Sequence, residues 1–326
     1  MGELLKRRTA TELQIETLRG KLKEADALCL DKACVYATGS FGRGEASAFS
    51  DLDLFIVGKG TRKEPALSRL DEILVKADLI ATTKALGLPE FSGDGQYLVG
   101  HTLEGLVGTL GKPEDDVENT FTARLLLLLE SFPLIGESVY QQITNDVIVA
   151  YWKDYEGHKS DFIPAFLAND ILRMWRTFCV NYEARTQRAP EKEMAKRRLK
   201  NYKLKHSRLL TCYSALLYLL AIFSKNKTVS PTDAKHMISL TPTARLEWML
   251  SQRELEDAHS SLGKLIEGYE TFLSNTDAPE EELITRFMDR RRRTDYLDSA
   301  YRFGDLVFEV LAIVGKKNLF HRLLVV

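Results

Sequence analysis

The chain has 326 residues, a formal net charge of −1 and a hydrophobic content of 44%. This length suits two domains or one large one, and the composition is ordinary for a soluble globular protein. The near-zero net charge argues against a general attraction to nucleic acid or anionic membranes. No CxxC spacing is present among the four cysteines, so we expect neither a zinc site nor a disulfide framework. Apolar runs are shorter than the roughly 20 residues of a membrane span, and the N-terminus lacks a signal-peptide pattern. We therefore expect a cytoplasmic protein without a membrane partner.

The first part of the chain alternates predicted helices and strands. Apolar periodicity and Gly or Pro breaks predict, in order, a helix over 9–28, a strand over 33–38, a helical turn over 43–48, a strand over 52–57, a helix over 64–86, a strand over 96–101 and a helix from 113 to 131.

Strand signals mostly vanish after about residue 140. The remaining pattern predicts long helices over 162–184, 192–223, 246–274 and 280–314. The predicted fold class is therefore α+β. A small mixed-sheet domain with an N-terminal helix covers 1–140, and an all-helical domain covers 141–326.

A glycine-rich loop followed by two aspartates is the most informative stretch. It begins at Gly39-Ser40, directly after the predicted strand, and ends at Asp51 and Asp53, where the next apolar run starts. Residues i and i+2 of a strand point to the same face, so the two carboxylates would stand side by side. Such a pair is costly without a cation, and hard oxygen ligands favour Mg²⁺. An Asx turn or helix cap explains one aspartate but not both.

This stretch resembles the signature of the DNA polymerase β-type nucleotidyltransferase superfamily. It is most similar to the bacterial uridylyltransferase-like and minimal nucleotidyltransferase members, over about residues 33–58. The resemblance implies transfer of an NMP from an NTP to an acceptor hydroxyl, on a protein side chain or an RNA end, with release of pyrophosphate. It also implies that Gly39 and Ser40 cradle phosphate, and that Asp51 and Asp53 are catalytic and bind Mg²⁺ or Mn²⁺.

The resemblance further implies a third carboxylate on a nearby strand, acting on the incoming hydroxyl. The predicted strand 96–101 contains no Asp or Glu. Asp94, just before it, is the preferred catalytic candidate, followed by Glu90 and Glu104, although Asp94 also suits a turn. If no third carboxylate exists, the alternative function is a catalytically silent nucleotide- or RNA-binding regulator on the same fold.

Arg43 follows the glycine loop and has two possible roles. Its guanidinium could contact a nucleotide phosphate, or it could form a local ion pair with Glu45. Both interpretations stay open, because ion pairs at protein surfaces are common.

A concentrated basic run lies between Arg185 and Arg208, with ten Lys or Arg against two Glu. On a helix Lys203 and Ser207 are i and i+4 and therefore neighbours. The resemblance implies that a Lys and a Ser on a helix of the second domain grip the NTP triphosphate. Lys203 and Ser207 fit this pair, with Lys205 and Arg208 as alternates. A solvated basic helix face is the competing interpretation.

Two further polar groups lie in the helical part. Asn169, Arg173 and Arg176 recur at i, i+4 and i+7, and could contact base, ribose or acceptor, or bridge neighbouring helices. Arg290 to Arg293 form a short basic run, which suits a solvated helix face or, less well, contact with an RNA backbone.

Overall fold

The computed structural model describes residues 2–91, 98–184 and 189–325. It contains two compact units, Met1–Tyr151 and Trp152–Val326. The boundary expected at 140/141 falls inside a helix, Glu137–Tyr151. That the first of the two domains is the nucleotidyltransferase catalytic domain stays a prediction.

A four-stranded mixed sheet forms the centre of the first unit. Its strands are β1 (Ala33–Ala37), β2 (Leu54–Gly58), β3 (Gly100–Thr102) and β4 (Phe132–Ile135). They lie side by side in the order β3-β2-β1-β4. β1 is antiparallel to both β2 and β4, whereas β2 and β3 are parallel. Every residue of β1 and β2 is buried, as expected for short continuous apolar runs.

Helices cover this sheet and connect its strands. They are α1 (Glu3–Lys21), α2 (Lys23–Cys29), α3 (Gly39–Gly42), α4 (Arg69–Ala85), α5 (Leu103–Gly108), α6 (Glu114–Val117), α7 (Thr120–Leu129) and α8 (Glu137–Tyr151). The apolar faces of α1, α2 and α4 share one core with the two central strands, which includes Leu18, Ala25, Val35, Ile56 and Leu79. This core fixes the end of β1 and the start of β2, and the glycine loop connects these two points.

Several predicted boundaries in this unit are wrong for identifiable reasons. The single helix over 9–28 is two helices that meet at Leu22. The helix predicted from 64 begins after Ser68, whose hydroxyl accepts a hydrogen bond from the backbone N–H of Asp71, as an N-cap does. The helical turn predicted over 43–48 occurs earlier, as α3. The strand β4 was not expected, because Pro133 reads as a break.

The second unit consists of helices, and its described residues contain no strand. The helices are α9 (Ala165–Glu183), α10 (Glu191–Lys203), α11 (Leu209–Asn226), α12 (Pro231–Ser239), α13 (Pro242–Leu250), α14 (Glu256–Asn275), α15 (Glu280–Met288), α16 (Arg290–Val314) and α17 (Leu319–Val325). A π-helical segment, Leu204–Arg208, joins α10 to α11. α11 is the central helix of this unit, and most of its side chains are buried. The mixed sheet followed by helices confirms the predicted α+β class.

Two long predicted helices are interrupted. The helix expected over 280–314 breaks at Asp289, whose carboxylate accepts a hydrogen bond from the backbone N–H of Arg292 at 2.8 Å and so caps α16. The helix expected over 246–274 breaks after Leu250. Both interruptions are local and leave the element type unchanged.

One continuous helical stretch among the described residues, Glu191–Asn226, is long and apolar enough to cross a membrane by length and composition alone. However, 83% of its apolar window is buried inside the protein. Core helices of globular proteins pass the same test, so this is weak evidence for a membrane partner.

Candidate active site

The glycine loop and the aspartates are brought together by the pairing of β1 with β2. The register places Ala37 opposite Leu54 at the end of the antiparallel ladder. The ladder continues for one more pair, because the backbone N–H of Thr38 donates to the carbonyl of Asp53 at 2.8 Å. Asp53 therefore lies beside the first residues of the loop, although fifteen positions separate it from Thr38 in the chain.

Gly39 makes room for the Asp53 carboxylate. Its φ of +63° lies in the left-handed region that favours glycine. A Cβ built on Gly39 would stand 2.8 Å from Oδ2 of Asp53, closer than real Cβ contacts allow. Asp53 is half-buried at this position, and Asp51, two residues earlier, is exposed. The structure thus brings the two parts of the predicted motif into direct contact.

The backbone amide of Gly39 has a different role from the predicted one. It donates to Oε1 of Glu130 at 3.2 Å, so it is not directed at a phosphate. The Glu130 side chain is completely buried, and its other oxygen accepts from the Arg43 guanidinium at 2.8 Å. Ser40 is half-buried and lies in α3. It directly follows Gly39, the residue that lies against the Asp53 carboxylate. Of the predicted phosphate cradle, Ser40 is the residue that keeps this role in our proposal.

Arg43 belongs to a buried ion network rather than to an open phosphate site. Only 7% of the residue is exposed. Its Nε lies 2.6 Å from Oε1 of Glu45, and its Nη1 contacts Glu130. The contact with Glu45 is the local ion pair that was one of the two interpretations of the sequence. Because the guanidinium is held by two carboxylates, we remove Arg43 from the predicted nucleotide-binding residues. Its position indicates that it stabilises the conformation of the glycine loop.

Glu130 also fixes the loop through its backbone. A Cβ on Gly42 would lie 2.1 Å from the carbonyl oxygen of Glu130 and 2.9 Å from that of Ala37. This close approach requires glycine at position 42. The sequence prediction missed Glu130. The available signal was an isolated acidic residue at the end of the apolar run Leu125–Leu129, directly before β4.

Of the three candidates for the third catalytic carboxylate, Glu90 and Glu104 lie among the described residues. Asp94, the preferred candidate, lies outside them. Glu104 lies beyond β3, which runs parallel to β2 and pairs Thr102 with Gly58, so Glu104 is at the opposite end of β2 from Asp53. Its carboxylate accepts from the backbone N–H of Arg62 instead. Glu90 is exposed.

No group of three or more His, Cys, Asp or Glu within the described ranges could hold a metal ion. The residues nevertheless fit a magnesium ion in part. Mg²⁺ is commonly bound by one or two carboxylates, with its remaining positions filled by water and substrate phosphates. Asp51 and Asp53 offer two carboxylates two positions apart in the chain, and their binding of a metal ion stays a prediction.

Residues 15–88 match the family model described as a nucleotidyltransferase domain. The matched range lies within the first unit. The matched range contains the glycine loop, Asp51 and Asp53, consistent with the DNA polymerase β-type superfamily that the motif resembles. Searches of curated proteins and of solved structures gave no significant match.

The helical unit lies outside the matched nucleotidyltransferase domain, and its predicted triphosphate pair has an unexpected local geometry. Lys203 is exposed at the end of α10, whereas Ser207 is buried within the π-helical segment. The Ser207 hydroxyl donates to the carbonyl oxygen of Lys203 at 2.8 Å. The pair therefore does not present two side chains on one exposed α-helical face, as the i, i+4 spacing had predicted. Their role in nucleotide binding stays a prediction.

The alternates Lys205 and Arg208 pack against aromatic rings. The Lys205 ammonium lies 4.1 Å from the centroid of the Tyr301 ring, and the Arg208 guanidinium lies 5.5 Å from that of Phe178. Cation–π contacts of this kind hold both side chains against the helical surface. Elsewhere in the basic run, Lys192 and Lys196 form ion pairs with Glu281 and Glu280 of α15. Part of the predicted basic patch is therefore neutralised.

Asn169, Arg173 and Arg176 line one side of a cavity of about 380 Å³ within the helical unit. Leu323 and Leu324 of α17 line it as well. The three polar residues thus share a face of α9, as their spacing predicted. Which group they contact stays a prediction.

Proposed function

We propose that the protein is a metal-dependent nucleotidyltransferase that moves an NMP from an NTP to an acceptor hydroxyl. The hydroxyl oxygen would form a bond to the α-phosphorus, the bond to the bridging oxygen would break, and pyrophosphate would leave. The acceptor would be a protein side chain or an RNA end.

Asp51 and Asp53 would hold Mg²⁺ or Mn²⁺. When bound, such an ion neutralises phosphate charge and lowers the pKa of an attacking hydroxyl. The hydroxyl of Ser40, the residue that follows Gly39, would donate to a phosphate oxygen. The buried Arg43, Glu45 and Glu130 would keep the loop in place without contacting the nucleotide. The proton of the acceptor hydroxyl would go to a carboxylate outside the described residues, for which Asp94 is the candidate.

The observation that carries this proposal is the contact between Gly39 and the Asp53 carboxylate. It joins a glycine with positive φ, a serine and two aspartates at one end of the β1–β2 ladder. The match of residues 15–88 to a nucleotidyltransferase domain supports the same reaction class.

The test is incubation of the purified chain with each common NTP, labelled with ³²P at the α-phosphorus, in Mg²⁺ and then in Mn²⁺. Total RNA and cell-lysate protein serve as acceptors. We expect label on one acceptor class, lost with EDTA and in Asp51→Ala/Asp53→Ala. A matched control, Glu12→Ala/Glu16→Ala, removes two exposed carboxylates of α1 and should keep full transfer. Equal transfer by both double variants would contradict the proposal.

A second candidate function is a catalytically silent nucleotide- or RNA-binding regulator. The observation in its favour is that, among the described residues, no group of three or more His, Cys, Asp or Glu could hold a metal ion. This candidate predicts metal-dependent NTP binding without label transfer. Binding by the wild-type chain, measured by calorimetry alongside the transfer assay, separates the two functions.

A further inference from the structure

A polar surface cavity of about 710 Å³ lies within the helical unit, where α14, α15 and α16 meet. Three arginines line it: Arg286 of α15, and Arg292 and Arg302 of α16. Arg292 and Arg302 are exposed, and no carboxylate in the described part of the chain forms an ion pair with either. Two guanidinium groups are therefore available to an anionic ligand. Arginine suits phosphate in particular, because its planar donors bind two oxygens at once.

The rest of the lining has the chemistry that recognises a nucleoside. Asn275 brings an amide whose nitrogen donates to the Tyr202 hydroxyl at 3.4 Å, and Thr271 a hydroxyl that donates to the Glu267 carbonyl at 2.9 Å, so both keep an oxygen that can accept from a ligand. Ser299 adds a hydroxyl and Tyr296 an aromatic ring. Amides bind base edges, hydroxyls bind ribose, and aromatic rings stack on bases. The Tyr296 ring is itself stacked on Phe287, with centroids 4.9 Å apart, so its orientation is fixed. The cavity is also far larger than a phosphate ion and lies within the range of small-ligand sites.

Two carboxylates line the cavity as well, Glu282 and Asp295. Glu282 is paired with Arg286 at 2.6 Å, so these two charges largely cancel. Of the remaining charged residues in the lining, Asp295 is negative and Arg292 and Arg302 are positive, so the lining keeps a positive balance. A lining of mixed sign disfavours a uniformly anionic surface such as a membrane, and suits a ligand with both phosphate and hydrogen-bond donors.

The charge at the start of α16 adds an independent argument. Arg290 to Arg293 occupy the first turn of this 25-residue helix, and no acidic residue shares that turn. Cations are disfavoured there by the helix dipole, and four adjacent like charges repel one another. None of the four forms an ion pair with a described carboxylate; Asp289 only caps the backbone. Arg292 is the member of this run that lines the cavity, where a bound anion would offset the unfavourable charge.

We propose that this cavity binds a nucleotide, either free or as the end of an RNA strand, through its phosphates and its nucleoside. The site is built entirely by residues of the helical unit and includes neither Asp51 nor Asp53. It therefore does not depend on the transfer activity proposed above.

The test measures fluorescence anisotropy of ATP labelled on the ribose, with the full-length Asp51→Asn/Asp53→Asn chain in EDTA. These conditions remove metal-dependent binding at the aspartate pair. Into this background we introduce Arg292→Ala/Arg302→Ala, and as a matched control Arg69→Ala/Arg253→Ala, which removes two exposed arginines outside the cavity. Ser299→Ala serves as a milder cavity variant. Unlabelled NTPs, short single-stranded RNA and tripolyphosphate compete for the probe.

We expect the cavity double variant to raise the Kd about tenfold or more, since two charge-assisted contacts are lost, and the control to leave it unchanged. Stronger competition by RNA than by NTPs would identify an RNA end as the ligand. Stronger competition by NTPs than by RNA would identify a free nucleotide as the ligand. The proposal is overturned if no probe binds, if both double variants bind equally well, or if tripolyphosphate competes as well as ATP.

Discussion

Oε1 of Glu130 accepts a hydrogen bond from the backbone N–H of Gly39 at 3.2 Å, across 91 positions of the chain. The other carboxylate oxygen binds Arg43, which in turn binds Glu45. The fully buried Glu130 carboxylate thus fixes the glycine loop through the Gly39 amide and Arg43. The Asp53 carboxylate also lies against Gly39. The ion network of Arg43, Glu45 and Glu130 therefore supports the candidate active site. In our proposal these three residues do not contact the substrate.

Glu130→Ala should reduce the free energy of unfolding by about 3 kcal/mol, because a buried ion pair loses one partner and the Gly39 amide loses its acceptor. Urea unfolding measures this change. Glu137→Ala provides the comparison: its side chain is 66% exposed and pairs with Arg19 at 3.6 Å. Removing an exposed pair should cost about 0.5 kcal/mol. Similar losses for both variants would show that the Glu130 network does not support the loop.

Gly39→Ala and Gly87→Ala separate backbone strain from interference with Asp53. Both glycines have positive φ, +63° and +68°, so each alanine should cost about 1–2 kcal/mol of stability. Only at Gly39 would the new Cβ meet the Asp53 carboxylate, whereas nothing lies within 4 Å at Gly87. We therefore expect transfer activity to fall about 100-fold in Gly39→Ala, since a displaced catalytic group costs about this much. Gly87→Ala should keep its activity, and equal activity of the two folded variants would argue against a role for this contact.

Gly42→Ala should be among the most destabilising single changes in the loop. Its Cβ would stand 2.1 Å from the Glu130 carbonyl oxygen, so the backbone of the loop or of the segment before β4 must move. We expect a loss of about 3 kcal/mol or failure to fold. In contrast, Gly20→Ala lies in α1 with nothing within 4 Å of the new Cβ and should stabilise by about 0.5–1 kcal/mol. Thermal unfolding of the two variants measures the difference in sign.

His206 should make stability depend on pH. Burial among Tyr202, Phe272 and Phe303 lowers its pKa from 6.5 to about 4, and its Nε2 has no hydrogen-bond partner. Because the folded-state pKa is the lower one, protons bind preferentially to the unfolded chain. The stabilisation is complete above pH 6.5 and is lost as the pH falls toward 4, by up to about 3 kcal/mol.

The measurement is the free energy of unfolding of wild type and His206→Phe between pH 7.5 and 4. The difference between the two should shrink or reverse toward acidic pH, because phenylalanine binds no proton. His158→Phe is the control, since the His158 side chain is exposed and should leave the wild-type pH dependence intact. A pH profile unchanged by His206→Phe would assign acid sensitivity to other groups.

The sequence by itself determined the β1 and β2 strands, the loop between them and the aspartates that follow. These features depend on interactions within about 20 consecutive residues, where apolar runs and glycines act locally. The helical character of the second unit was also predictable, because helices depend mainly on short-range periodicity. Some helix ends were missed where a single cap, such as Ser68 or Asp289, decides the start.

Only the tertiary structure decided what surrounds the motif. Glu130 is distant in the chain and reaches Gly39 because β4 pairs with β1, a contact that no local pattern encodes. The same pairing brings Glu130 to Arg43, so that Arg43 belongs to a buried ion network and is no longer a candidate phosphate ligand. The cavity of Arg292 and Arg302 likewise depends on the packing of α14, α15 and α16. Local sequence specifies elements and turn chemistry, whereas long-range packing decides which charges are buried, paired or left open to a ligand.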